Sequence, residues 1–246
     1  MGSSQRSDSW ARKTLRKLAR WAVYQYRVYR RPTVAIEGVR LRVGRHMSPR
    51  IERAVSEGRY ERDELWLIEQ VLSTSDVVLE VGAGLGVVST YCAQRLGSSR
   101  VSAYEANPDL EDCIRETYAL NQVQPSLEMC AVGAEPGTTT LYREKHLSSS
   151  SVIRRSARAR AVEVPRKSLS EIAEQVRPTL LIVDAEGAEG DLFDRAQIPT
   201  VAGIVLELHE RIIGEPEANR VRSILAAAGF IAVPGLSARE HLVLRR

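Results

Sequence analysis

The chain has 246 residues, 43% of them hydrophobic and 27% charged, enough for one large core with an appendage and too few to require two full domains. Its net charge of +4 is unevenly spread: residues 1–31 hold nine basic residues against the single acid Asp8, leaving 26 basic and 30 acidic residues in the remainder. A mildly acidic body argues against a broad nucleic-acid footprint on it and assigns any affinity for polyanions or membranes to the N-terminal arm.

Three cysteines, Cys92, Cys113 and Cys130, are an odd set without metal-like spacing and sit in apolar patterns, as small core hydrophobes do in a reducing compartment. The longest uncharged N-terminal run, beginning at Trp21, is far shorter than the ~20 residues of a membrane span and has no signal-peptide cleavage pattern. A cytoplasmic protein is expected.

Taken in chain order, residues 10–30 predict a helix with Arg12, Lys13, Arg16, Lys17, Arg20 and Arg27 on one side and Trp10, Leu15, Leu18, Trp21 and Tyr26 on the other. Such a helix packs on its own body or on a twin subunit, or lies on an anionic membrane. Residues 1–31 therefore read as a basic amphipathic segment and 32–76 as a cap. The cap holds a hairpin over 33–43 around Glu37-Gly38, a short helix over 49–57 stopped by Gly58, and another over 63–72.

From residue 77 to 246 strands and helices alternate. Strands are expected at 77–81, 101–105, 127–132, 179–184 and 202–208, with helices near 86–96, 109–121, 167–175, 187–194 and 216–228. Alternation of this kind predicts an α/β fold with a doubly wound parallel sheet covered on both faces. Residues 138–142 and 159–164 read as accessory strands around a serine- and arginine-rich loop, 146–156, that includes His146 and is placed to gate an acceptor. A strand pair over 229–234 and 241–244 closes the chain.

The chemistry gathers around the first of these strands. Val77-Val78-Leu79-Glu80-Val81 runs straight into Gly82-Ala83-Gly84-Leu85-Gly86, a buried strand followed by a glycine turn that opens a helix. Glycine accepts positive φ and has no Cβ to hold a ligand away from the backbone. The next strand ends in Glu105, nineteen residues beyond Gly86, where a carboxylate can accept hydrogen bonds from ribose hydroxyls. Turn and acid together suit NAD or S-adenosylmethionine. The glycines follow GxGxG, not the GxGxxG of a pyrophosphate binder, and Glu80 would repel phosphates while suiting an ammonium. The expected ligand is therefore cationic.

Glu80 to Gly86, Tyr104-Glu105-Ala106-Asn107-Pro108, Ala131-Val132-Gly133, Val164-Pro165 leading to Ser168-Leu169, and Asp184-Ala185-Glu186-Gly187-Ala188-Glu189 resemble the FkbM family of S-adenosylmethionine-dependent methyltransferases. The likeness runs from about Gly58 to Phe230, with Glu80 standing where the family commonly has aspartate. It implies a class I methyltransferase, Rossmann-like sheet of seven strands with the last antiparallel, and methyl transfer to a hydroxyl of a small metabolite, sugar or polyketide-type natural product. By the same resemblance, Gly82, Ala83, Gly84 and Gly86 border the methionine part of the cofactor, Glu80 its ammonium and Glu105 its ribose. Ala106 and Asn107 edge the adenine, Ala131 and Val132 cover its other face, and Asp184 lies near the methyl group.

Removing the acceptor's proton calls for a base. His209, just past the fifth strand, is the first candidate, on its ordinary pKa, and Asp184 the second. Asp184, Glu186, Glu207 and His209 are oxygen and imidazole donors that could share an edge, but a bound Mg²⁺ is the less favoured reading and no metal ligand is assigned. Two rival functions remain. An RNA methyltransferase is favoured only by the basic arm, and a silent cofactor-binding module docking on a membrane or partner would have less reason to keep Glu80, Glu105 and Asp184.

Overall fold

The computed structural model describes residues 32–44, 47–143, 150–238 and 240–246. The helix expected over 10–30, and His146 with its neighbours at 144–149, lie outside the described residues.

Seven strands form the central sheet: β3 (Val78–Val81), β4 (Val101–Glu105), β5 (Ser126–Met129), β9 (Leu180–Asp184), β10 (Gly203–Glu207), β11 (Ile231–Ala232) and β12 (His241–Arg245). Their order is β11-β12-β10-β9-β3-β4-β5. Pairing is parallel except along β12, the last strand, which runs antiparallel to both β10 and β11. This is the expected class I methyltransferase sheet. Because β3 lies between β4 and β9, the chain leaves it first in one direction and later in the other, and ligands of open α/β sheets bind where that reversal opens a crevice.

Side chains alternate along each strand, so the sheet feeds two apolar layers. Val78, Val101, Ala103, Leu180, Ile182, Val205 and Val243 face one layer, which α3 (Val87–Leu96) and α4 (Glu111–Asn121) cover with Val88, Tyr91, Cys92, Ile114 and Tyr118. Leu79, Val81, Leu181, Val183, Ile204, Leu206 and Leu244 face the other. There α5 (Leu169–Val176), α6 (Glu189–Phe193) and, after the short α7 (Glu210–Ile213), α8 (Glu215–Ala227) supply Ile172, Phe193, Val221 and Leu225. All three cysteines are buried and none is in a disulfide.

The N-terminal elements continue the first layer. Hairpin strands β1 (Thr33–Ile36) and β2 (Val39–Arg42) join through Glu37 and Gly38, both at positive φ, the two-residue turn that suits the twist of a hairpin. Ile36, Val39 and Leu41 then pack in one cluster with Leu65 and Ile68 of α2 (Arg62–Val71) and with the sheet. Asn121 ties the hairpin to the end of α4, accepting from Arg40 N at 2.8 Å and donating to Arg40 O at 2.7 Å. Helix α1 (Pro49–Ser56) starts where Ser48 Oγ accepts from Ile51 N and Pro49 needs no donor partner.

Two expected elements differ. The apolar run 127–132 is not one strand: β5 ends at Met129, and beyond Cys130 the chain enters β6 (Ala131–Gly133) of a second sheet, ordered β6-β8-β7 with β7 (Gly137–Arg143) and β8 (Arg160–Ser168). The helix expected from 187 begins at Glu189, because Glu186 and Gly187 both take positive φ before it. No helix among the described residues is long and apolar enough to cross a membrane.

Candidate active site

The ends of β3, β4, β9 and β10 border a cavity of about 350 Å³. Gly82, Gly84, Glu105, Ala106, Ala131, Val132, Asp184 and His209 all line it. Glu80 and Ala83 line a small adjoining chamber of about 20 Å³ shared with Tyr60, Glu61, Glu64 and Asp184.

Two expected residues line neither space. Gly86 packs against α4, where a Cβ would come within 3.0 Å of Ile114 and 3.2 Å of Tyr118, so its glycine serves helix packing. Asn107 is buried, caps the turn after β4 by accepting from Asp109 N, and donates to Ser150 Oγ at 3.2 Å. It anchors the segment 150–152 over the cavity and does not edge it.

The glycine turn is held by backbone. Gly82 N and Ala83 N donate to Tyr104 O, and a Cβ on Gly82 would fall 1.9 Å from the carbonyl oxygen of Asp184. Glu105 then stitches turn to strand: its Oε2 accepts from Gly84 N at 2.9 Å and its Oε1 from Asn107 N at 2.7 Å. Burial raises its pKa and these backbone donors oppose the rise. Each oxygen keeps lone-pair capacity for a ligand's hydroxyls.

Glu80 is 2% exposed, and its Oε2 has no hydrogen-bond partner among the described residues. Burial pushes its pKa up to about 8, against the hydrogen bond of Ser89. Around it, burial and the charge of Glu61 raise Glu64 and Tyr60 as well. A chamber with this many oxygens and an orphaned carboxylate atom calls for a cation. The ammonium end of S-adenosylmethionine fits that demand, and Glu105 fits its ribose.

The Asp-x-Glu-Gly-x-Glu motif follows β9, and each acid does something different. Asp184 faces the cavity with its side chain 25% exposed and its Oδ1 without a hydrogen-bond partner among the described residues. Glu186 pairs with Arg155 at 3.0 Å. Gly187 at φ +104 turns the chain so closely past Ile212 and Ser151 that a Cβ would meet Ile212 at 2.8 Å. Glu189, fully buried, accepts from Gly187 N and lies 2.6 Å from His209 Nδ1.

His209 thus has one ring nitrogen fixed on Glu189, while Nε2 faces Asp184 Oδ1 at 3.6 Å and Glu186 and Glu207 at 3.8 Å. Burial would lower its pKa, but the Glu189 bond and the charges of Asp184, Glu189 and Glu186 outweigh it and hold the ring at about 9. These contacts favour the protonated form of the ring. Asp184 is raised by burial and by the charges of Glu61 and Glu207, and lowered by His209.

Sequence reasoning missed Tyr60 and Glu61, which reach the cavity from the turn before α2, and Ser48, Arg50 and Ile51 of α1 and its cap. No motif marks them; the nearest signal is the stop at Gly58. The hairpin does not line the cavity.

Strand order, glycine turn and acid-tipped strands together define a class I methyltransferase. The sequence profile of the methyltransferase FkbM domain matches residues 80–232, and the chain belongs to this family. No curated protein matches it. Among solved structures it is similar to the ribosomal protein L11 methylase of Lactobacillus delbrueckii subsp. bulgaricus, at 14% identity over 76% of this chain and 77% of that one, with a TM-score of 0.45. The tRNA (uracil-54, C5)-methyltransferase of Pyrococcus abyssi, in complex with S-adenosyl-L-homocysteine, is 14% identical over 87% of this chain and only 43% of its own length, with a TM-score of 0.48. Precorrin-6y C5,15-methyltransferase of Geobacter metallireducens GS-15 gives 12% identity over 75% and 84%, with a TM-score of 0.41.

Proposed function

We propose that the protein is an S-adenosylmethionine-dependent O-methyltransferase that acts on a hydroxyl of a small metabolite, sugar or natural product. One observation carries the reading: the carboxylate and imidazole cluster of Asp184, Glu207 and His209 shares a cavity wall with Glu105 and the glycine turn. When bound, S-adenosylmethionine supplies a methyl group on a positively charged sulfur.

The chain's own residues orient and deprotonate. Glu105 accepts from the ribose hydroxyls and Glu80 receives the ammonium, which together fix where the methyl group points. Asp184, whose carboxylate lines the cavity, takes the proton that the acceptor hydroxyl loses as its oxygen bonds to the methyl carbon. His209, oriented by Glu189, offsets the negative charge around it. Ser48, Arg50, Ile51, Tyr60 and the 150–152 segment form the walls against which an acceptor is selected.

The reading also takes the enzyme as cytoplasmic and its acceptor as a free small molecule, since the chain beyond residue 31 carries more acids than bases. Calorimetry with S-adenosylmethionine, followed by radiolabelled methyl transfer to panels of hydroxylated metabolites, glycosides and RNA, tests it. Transfer to hydroxyls supports the proposal. Transfer only to RNA, or tight binding with no transfer to any panel, overturns it.

A further inference from the structure

We infer that the ends of β9 and β10 form a binding site for a divalent cation of the magnesium–manganese class, held by Asp184 Oδ1, Glu207 Oε1 and His209 Nε2. Its place in catalysis rests on the proposed hydroxyl chemistry; its existence does not.

Strand register creates the site. Asp184 and Glu207 are partners across the parallel β9–β10 pair, so two carboxylates stand side by side where both strands end. Two residues on, the chain brings His209 over the same edge. One donor atom from each of the three lies within 4.8 Å of the others.

The distances place Nε2 within ion-pair range of both carboxylates but short of bonding to either, a spacing that also admits an ion between them. Nε2 is 3.6 Å from Asp184 Oδ1 and 3.8 Å from Glu207 Oε1, too far for hydrogen bonds. Ligands about 2.0–2.4 Å from one ion and 90–110° apart lie about 3–4 Å from each other. Asp184 Oδ1 is buried and has no hydrogen-bond partner among the described residues. On the other side of the ring, Nδ1 is fixed 2.6 Å from Glu189, which is wholly buried. A carboxylate behind the imidazole is what orients a metal-binding histidine and selects its tautomer. Bound there, the ion takes the place of the Nε2 proton.

Ligand chemistry sets the class. Two carboxylates favour magnesium, calcium or manganese, and the imidazole shifts preference toward manganese. All three ligand residues line the cavity, so the ion's open side faces the space where the acceptor hydroxyl sits in the proposed reaction.

The test uses the full chain stripped with chelator and titrated with Mn²⁺ alone, following loss of the free-ion paramagnetic resonance signal, with Mg²⁺ as competitor. A single saturable site is expected. It should disappear in Asp184→Asn and Glu207→Gln, and weaken about 10- to 100-fold in Glu189→Gln, the usual cost of losing the residue behind a metal-binding imidazole. Glu105→Gln should keep it while losing affinity for S-adenosylmethionine. Thermal melting checks that each variant is folded; if the ligand variants do not fold, Mn²⁺-induced NMR line broadening centred on His209 in the unaltered protein replaces them. No Mn²⁺ binding, binding unchanged in both folded ligand variants, or broadening centred elsewhere overturns the inference. Methyl transfer to hydroxyls without Mn²⁺ binding leaves the proposed function standing, and Mn²⁺ binding without hydroxyl methylation does the reverse.

Discussion

Two buried glutamates carry the donor side of the site, and they differ in what they already hold. Glu105 spends a bond from each oxygen on the backbone, so it is oriented before any ligand arrives. Replacing it with glutamine should weaken S-adenosylmethionine binding by about 1.5–3 kcal/mol, tenfold or more in Kd by calorimetry, the usual worth of hydrogen bonds to a charged group. Glu80 has one oxygen, Oε2, without a hydrogen-bond partner among the described residues, and its raised pKa gives a testable sign. Below about pH 4.5, the value for an ordinary glutamate, the carboxyl is neutral folded or unfolded; between there and about 8 the unfolded chain ionises first, so this residue's contribution to stability falls as pH rises. Glu80→Gln cannot ionise. The ligand-free variant should melt higher than the parent at pH 8.5 by at least about 2–4 °C, the equivalent of ~1 kcal/mol in a chain of this size, with the gap closing toward pH 5. A gap that is flat across this range would show that burial of the Glu80 charge is not the cause.

At the level of elements, the site depends on how closely two strand ends approach. Gly82→Ala puts a Cβ into the Asp184 carbonyl at a φ of +96°, and overpacking of that kind costs about 1–3 kcal/mol. Gly97 has a similar φ of +88° but nothing near its missing Cβ. Urea unfolding should therefore show a larger loss for Gly82→Ala than for Gly97→Ala, and only the former should lose cofactor affinity. Elements of this kind were legible in the sequence because period and punctuation agree: five apolar-rich strands, each followed by a helix, and glycines at 82, 84 and 86. The break at Cys130 was not legible. Leu127 to Val132 is apolar enough for one strand, and only the docking of β6 against β8 redirects it. Equally hidden was the Tyr60-Glu61 turn, since Glu61 adopts φ +53° where two helices meet and no local spacing encodes that. Strand ends place Asp184 and His209 at one edge, but the upward shift of the ring's pKa comes from the bond to Glu189 and the charges of Asp184 and Glu186, which no strand spacing encodes.

Across the whole molecule, the described N-terminal elements and the sheet share one apolar layer. Ile68 of α2 and Leu181 of β9 are both fully buried, on opposite sides of the sheet. Alanine at either should cost about 2–5 kcal/mol. Each should also lower a single common unfolding transition, seen alike by circular dichroism and fluorescence; two separated transitions would mean that the cap unfolds by itself. The main-chain contact between Gly82 and Asp184 has a further consequence at this scale. It sets the spacing between donor turn and acid cluster without recourse to any flexible side chain, whereas α1, the Tyr60-Glu61 turn and residues 150–152 reach the cavity from outside that junction. The molecule is thereby divided into a fixed reaction gauge and an exchangeable rim. New acceptor ranges should be reachable by grafting or randomising the rim, with the gauge left untouched.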